Sequence, residues 1–471
     1  MNIVIAGGGT AGWLAAYIIS KTQPQQHDVT VVASSKIGII GAGENATGLF
    51  KDILTGVFFD FKVDMEDFMA KTEATYKNGI LNVNWGKDGS SYFTPLGCCP
   101  SWRGSDDFVL KYALAYDKEK IHTYSESGYL YEKERWEEDL QSFHFNSHKA
   151  GEYLKTICLV DGATVIDSVI KDIAIDSSGN IEHLLLEDGK QLFGDLFIDA
   201  TGFSRLLMNK LNVGWKSYKE YLPVDRAIPF FLSDPELMAR RYTTATALSS
   251  GWMWNVPLQT RVGAGYTYDS NFLSEEEAVE EVEAYLGYKV NPIKTIKFDA
   301  GRSKATWVKN CLAVGLSQSF VEPLEATSIH TTIMQTLAFV NECLLPTKEQ
   351  TFTEVKQRDF NNFCANMNDS TLDFISLHYQ GGRTDSPFWR HITNNYIATD
   401  KVKDIIERAK TTVPSGMHYQ ASIGTAPMCL WNWNLAGLNL LTPEVAKSSL
   451  DATGRTKTAL AVIEQFNRRL G

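Results

Sequence analysis

The stretch Asn2-Ile3-Val4-Ile5-Ala6-Gly7-Gly8-Gly9-Thr10-Ala11-Gly12-Trp13-Leu14 decides the fold. Ile3 to Ala6 is a short apolar run suited to a buried strand. Glycines then make a turn, and Trp13, Leu14, Ile18 and Ile19 recur on one face of a helix. Gly7, Gly9 and Gly12 fit the Gly-x-Gly-x-x-Gly pattern, in which missing side chains allow a tight turn, close approach of a pyrophosphate and close helix packing. A helix starting there turns the positive end of its dipole toward the phosphates. Val29 to Val32 follows at the distance of the next strand in a βαβ unit. The pattern predicts a dinucleotide site at Gly7, Gly9, Thr10, Ala11 and Gly12. The acid that commonly ends the second strand and holds a ribose is missing, since Val31-Val32 runs into Ala33-Ser34-Ser35. That counts against NAD and leaves Ala33 beside the cofactor.

Further along, Asp195 to Gly202 reads Asp-Leu-Phe-Ile-Asp-Ala-Thr-Gly and resembles the second nucleotide motif of FAD-dependent oxygenases, which implies that Asp199 and Gly202 border the cofactor. Together the two motifs favour FAD. Strand-like runs also occur at Leu184 to Leu186, Leu196 to Ile198 and Leu312 to Val314, the last before Gly315. Between Arg226 and Tyr268 the sequence alternates and is rich in aromatics, as in an antiparallel sheet. From Glu322 the chain reads mostly helical, with Ile329, Ile333, Leu337, Val340 and Leu344 at helical spacing. The expectation is an α/β fold: a Rossmann-like FAD-binding body with an inserted antiparallel sheet and a helical C-terminal substrate cap. The body would span 1–340, with nucleotide-binding segments near 1–50, 150–210 and 296–340 and the insert near 220–295; the helical region would span 341–471.

Composition narrows the function. The 471 residues carry a formal net charge of −11, which disfavours nucleic acid or an anionic membrane as partner, because phosphate binding needs clustered Lys and Arg. Hydrophobic residues make up 44%, but no run approaches the roughly 18 needed to span a bilayer, and a soluble, cytoplasmic location is expected. The seven cysteines, including adjacent Cys98 and Cys99, show no Cys-x-x-Cys spacing. They read as reduced thiols, with no metal site. A small-molecule partner fits best, and a homo-oligomer is compatible.

Three motifs then lead to a family. Trp252-Met253-Trp254-Asn255-Val256-Pro257 resembles the W-x-W-x-I-P signature of flavin-dependent tryptophan halogenases. Glu73-Ala74-Thr75-Tyr76-Lys77, with Asn82-Val83-Asn84-Trp85, is similar to the family segment carrying a catalytic lysine. Phe320-Val321-Glu322-Pro323-Leu324-Glu325 resembles the segment carrying the catalytic glutamate and leading to the halide site. Arg383 to Arg390 and Gly301-Arg302 with Trp307 add to the match, and the compact chain resembles the family's marine viral (cyanophage) branch. Taken singly, the tryptophans read as core, Lys77 as a solvated lysine and Glu325 as a helix-start acid. Their joint occurrence beside an FAD motif reverses that reading.

The resemblance implies a chemistry. Reduced FAD and O2 would oxidise a halide (bromide, iodide or chloride) to hypohalous acid, with the halide held by backbone near Thr327 and Ser328, where a helix begins. Lys77 would deliver the halogen, either hydrogen-bonded to hypohalous acid or as a haloamine. Glu325 would stabilise the cationic ring intermediate or take its proton. Trp252 and Trp254 would separate flavin from substrate, Gly43 and Glu44 would belong to the flavin loop, and Thr94, Pro95, Leu96 and Trp431 would line the substrate pocket. With no second dinucleotide turn in view, a separate NAD(P)H-dependent flavin reductase is expected to supply reduced FAD.

The chain departs from the family at Ala326-Thr327-Ser328 and at Asn45-Ala46-Thr47-Gly48, after the retained Gly41-Ala42-Gly43-Glu44. Thr94 and Leu96 stand where the family places an imidazole and an aromatic against tryptophan. The expected substrate is an electron-rich aromatic or N-heteroaromatic other than free tryptophan. The rival readings are an FAD-dependent aromatic monooxygenase and a non-catalytic flavin-binding protein.

Overall fold

The computed structural model describes residues 1–23, 26–38, 43–96, 107–135, 142–344, 353–415, 418 and 428–470. Cys98, Cys99, Gly41 and Ala42 lie outside them. The chain divides into two compact units, each assembled from three segments. The first comprises Met1–Ala74, Phe145–Tyr218 and Asp299–Asn368, and the second Thr75–His144, Lys219–Phe298 and Asp369–Gly471.

The first unit is built on a six-stranded sheet in the order Trp307–Val308, Cys311–Ala313, Leu196–Asp199, Asn2–Ala6, Asp28–Ala33, Thr164–Asp167. All its pairings are parallel except the one between the first two strands. Ile3 lies opposite both Leu196 and Val29, so the apolar run that opens the chain sits in the middle of the sheet. A strand there is covered on both faces and reads as an unbroken hydrophobic run. Val4, Ala6, Val32, Phe197 and Ala313 form one cluster with Leu184 and Leu186, contributed by a separate three-stranded antiparallel sheet. The strands expected at Ile3, Val29, Leu196 and Leu312 thus fall in one Rossmann-like sheet. The edge strand Thr164–Asp167, largely solvated, carries no such pattern.

The second unit contains a seven-stranded sheet in the order Ile296–Lys297, Arg226–Leu232, Val262–Tyr268, Gly251–Pro257, Thr243–Leu248, Gly79–Val83, Tyr92–Pro95. The expected antiparallel insert is therefore present, and two strands from the Lys77 region extend it. Its one parallel pairing joins Thr243–Leu248 to Gly79–Val83. Ile228, Phe230, Met253, Ala264 and Tyr266 pack with Ala278 and Val282, the two buried positions of the helix Glu275–Leu286. The C-terminal region is mainly helical, with helices at Glu354–His378, Pro387–Asn394, Asp400–Ala409, Met428–Gly437, Pro443–Thr453 and Thr456–Leu470. Ser386, Thr399 and Thr442 cap three of them by accepting from backbone N–H groups.

Cys158, Cys311, Cys343 and Cys364 are buried free thiols, as expected, but Cys429 is disulfide-bonded. Linear spacing misses such a bond, because pairing depends on proximity in space. Among the described residues no helix is long and apolar enough to cross a membrane, and no cluster of His, Cys, Asp or Glu could hold a metal.

Candidate active site

The glycine turn has the shape its sequence demands. Gly7 has φ +112°, and a Cβ there would lie 2.3 Å from the Ala200 carbonyl oxygen; a Cβ on Gly12 would lie 2.1 Å from the Gly7 oxygen. Strand, turn and helix are thus pressed together at two positions no side chain could occupy. Gly9 is the N-cap of the helix Thr10–Thr22, with no side-chain cap. The Thr10 hydroxyl donates instead to the Ser147 carbonyl, at 3.1 Å. The first N–H groups of the helix are therefore left for an anion, and the cradle fits the pyrophosphate of a dinucleotide. Ala33 and Gly315 close its sides: a Cβ on Gly8 would meet the Ala33 Cβ at 2.3 Å, and one on Gly315 would meet the Ala11 Cβ at 2.5 Å.

Asp199 is fully buried and committed to the protein. Its Oδ1 accepts from Thr201 N, Thr201 Oγ1 and Ser317 Oγ at 3.0, 2.7 and 2.9 Å, and its Oδ2 from Leu207 N and Met208 N at 2.9 Å each. This carboxylate shapes the Ala200–Gly202 turn beneath the cradle. Gly43 has φ +94° and lies 3.8 Å, by its virtual Cβ, from Ile329 of the helix Thr327–Phe339. The Glu44 carbonyl accepts from Phe145 N–H at 2.8 Å. Farther along the same loop, Thr47 Oγ1 is 2.8 Å from His330 Nδ1, tying loop to helix.

Glu325 ends a one-turn helix, Pro323–Glu325, and is buried at 8% exposure. Ala326 follows in the left-handed conformation, φ 56° and ψ 33°, and provides no side-chain cap for the helix beginning at Thr327. Thr327 Oγ1 is buried and has no hydrogen-bond partner among the described residues. Ser328 is half-buried, and its carbonyl accepts from Thr331 and Thr332. An unsatisfied hydroxyl and unsatisfied N–H groups at one uncapped helix start suit a small anion.

In the second unit Lys77 is 1% exposed, contrary to its isolated reading as a solvated lysine. It ends the strand Thr75–Lys77, paired with Ser142–His144 so that Lys77 lies opposite Ser142. His144, which no sequence motif singled out, is fully buried in the same pair. Thr75 Oγ1 donates to the Pro257 carbonyl at 2.6 Å and lies 3.2 Å from His144 Nδ1; Thr243 Oγ1 lies 3.0 Å from Nε2. This network assigns a neutral ring, with Nδ1–H donating to Thr75 and Nε2 accepting from Thr243. Burial, with the Lys77 charge as a second cause, holds His144 well below the usual histidine range.

Trp252 is buried and Trp254 half-buried, on the same face of strand Gly251–Pro257, with ring centroids 6.1 Å apart. A Cβ on Gly265 would lie 2.2 Å from the Trp254 ring, so a glycine opposite makes room for the indole. Of the expected pocket residues, Thr94 is buried and accepts from Asn82 Nδ2 at 3.0 Å. Pro95 pairs with Gly79, the Leu96 N–H donates to the Asn78 carbonyl, and Trp431 is buried with its ring 5.1 Å from that of Phe374. Arg383 stacks on Trp389 at 4.7 Å, pairs with Asp385 and donates to the Asn84 carbonyl, a structural explanation for that segment.

The family model described as Tryptophan halogenase matches residues 2–446. The chain belongs to this family. It is 32% identical, over 98% of its length and 95% of the relative's, to the 7-chloro-L-tryptophan 6-halogenase of Kutzneria sp. (strain 744). It is 31% identical to the tryptophan 6-halogenase of Streptomyces toxytricini, over 88% of this chain and 84% of the relative. Among solved structures it superposes on a tryptophan C-6 flavin-dependent halogenase (chlorinase) from taromycin biosynthesis with TM-score 0.85 and 29% identity, covering 100% of this chain and 96% of that one. A flavin-dependent halogenase from Xanthomonas campestris gives TM-score 0.83 and 27% identity, over 100% and 98%. This member of the tryptophan halogenase family is accordingly a flavin-dependent halogenase.

Proposed function

We propose that this halogenase works as one half of a two-component system, taking reduced FAD from a separate NAD(P)H-dependent flavin reductase and halogenating an electron-rich aromatic or N-heteroaromatic molecule other than free tryptophan. Gly7, Gly9, Thr10, Ala11, Gly12, Ala33, Gly43, Glu44, Gly202 and Gly315 would hold FAD, with Asp199 shaping the turn beneath it. When bound, reduced FAD supplies the two electrons with which O2 and a halide give hypohalous acid and water. Thr327 and Ser328 hold the halide. Lys77 presents the halogen to the ring, and Glu325 balances the ring cation or removes its proton, leaving the aryl halide and water.

The observation that carries this reading over a hydroxylating flavoenzyme is the buried, unpartnered Thr327 hydroxyl at the uncapped helix start. A halide donor is needed only if halide is a substrate. The substrate half is supported by Thr94, whose hydroxyl is engaged by Asn82 where the family presents an imidazole to tryptophan. Thr327→Val tests the halide half: it should raise the KM for bromide about tenfold, the effect of losing one hydrogen bond to an anion, with the oxidation rate of reduced flavin little changed. An unaltered KM for bromide would remove Thr327 from the halide site.

A further inference from the structure

We infer that Asn82 determines specificity, its Oδ1 accepting a hydrogen bond from the ring N–H of an N-heteroaromatic substrate. The inference rests on the reading above that Thr94 and its neighbours line the substrate pocket. Asn82 is fully buried on the strand Gly79–Val83, five residues after Lys77. Its amide is half used: Nδ2 donates to Thr94 Oγ1 at 3.0 Å, while Oδ1 is buried with no hydrogen-bond partner among the described residues. A buried carbonyl without a donor costs stability, and proteins keep few of them.

The sheet register shows what surrounds this oxygen. Asn82 lies opposite Tyr92 on one side and Ala245 on the other, Ala245 lies opposite Trp254, and Trp254 opposite Gly265. Residues paired in this way present their side chains on one face of the sheet. The row thus carries Tyr92, Asn82, a methyl group and an indole. The Trp254 ring lies against Gly265, on the side of its strand opposite Ala245, and Ala245 itself brings only a methyl group to the row. Tyr92 is held by its hydroxyl, which donates to Asn434 Oδ1 at 2.7 Å, and its ring is pressed by Gly437, where a Cβ would fall 2.2 Å away. A flat ring lying over Ala245 would have Trp254 at one edge and the Asn82 carbonyl at the other. A ring N–H is the complement of that carbonyl, and a ring without a donor would leave it buried and unpaired.

The experiment compares indole with N-methylindole, which differ in the donor and little in ring reactivity. The enzyme is the full chain with FAD, NADH, a flavin reductase and bromide. The wild-type protein should show a KM for indole at least about tenfold below that for N-methylindole. Asn82→Leu, of similar size, should bring the ratio near one, with circular dichroism and a cooperative thermal transition showing that the variant is folded. Preference for indole that persists in Asn82→Leu would be steric and would overturn the inference. Equal KM values in the wild-type protein would overturn it without any variant. Absence of brominated product from both rings in the wild-type protein would instead defeat the underlying proposal about substrate.

Discussion

The motifs point to Lys77 and Glu325 but do not show their surroundings. An isolated lysine reads as solvated, whereas Lys77 is buried on a strand that pairs with residues 142–144, far away in sequence. Lys77→Ala is expected to reduce halogenated product about a hundredfold or more, the usual span for a positioned catalytic side chain, while reduced-flavin oxidation stays near wild type. Stopped-flow absorbance and product mass measure the two separately, and Glu325→Gln should lower kcat more than it raises KM. The settings of His144, which is buried, and His330, which is half-buried, were not legible either. Burial holds His144 well below the usual histidine range and His330 at about 4. On unfolding, both return to about 6.5, so the unfolded chain binds the additional protons. Stability should therefore be complete above about pH 6.5 and fall as the pH drops toward 4. Urea midpoints between pH 7.5 and 5 measure this, and His330→Asn should flatten the dependence by the share of one proton.

Among the elements, the glycine turn was the most legible because part of its constraint is local: a Cβ on Gly12 would run into Gly7 five residues before it, while Gly7 itself is closed off by the Ala200 carbonyl at the end of the neighbouring strand. Gly12→Ala places a methyl 2.1 Å from the Gly7 carbonyl and should weaken FAD binding at least tenfold, read by flavin fluorescence titration, with circular dichroism checking the fold. The strand Thr164–Asp167 was illegible for the opposite reason. It lies on the sheet edge with partly solvated side chains, and only its parallel pairing to Asp28–Ala33 defines it. Leu184 to Leu186 had the pattern of a strand, but nothing in it could say that it joins a separate antiparallel sheet, since pairing is decided by distant partners. The alternation from Arg226 to Tyr268 announced its sheet, but not that Gly79–Val83 and Tyr92–Pro95 extend it.

On the scale of the whole molecule, the residues proposed for flavin and halide fall in the first compact unit, and Lys77, the paired tryptophans and the proposed substrate-lining residues fall in the second. Each unit is assembled from three stretches of chain, so motifs that alternate along the sequence belong to two bodies. With one dinucleotide turn assigned to FAD, the purified chain should not turn over with NADH and FAD alone, and any competent flavin reductase should restore turnover; equal rates with and without reductase would refute the two-component scheme. The central claim is that halide is oxidised and transferred to an aromatic ring. Its most direct measurement is the product mass from a panel of indoles, azaindoles and phenols incubated with the enzyme, reduced FAD and O2, with and without bromide. The account predicts a product with one hydrogen replaced by bromine, formed only when bromide is present and lost in Lys77→Ala; a hydroxylated product formed equally well without bromide would contradict it.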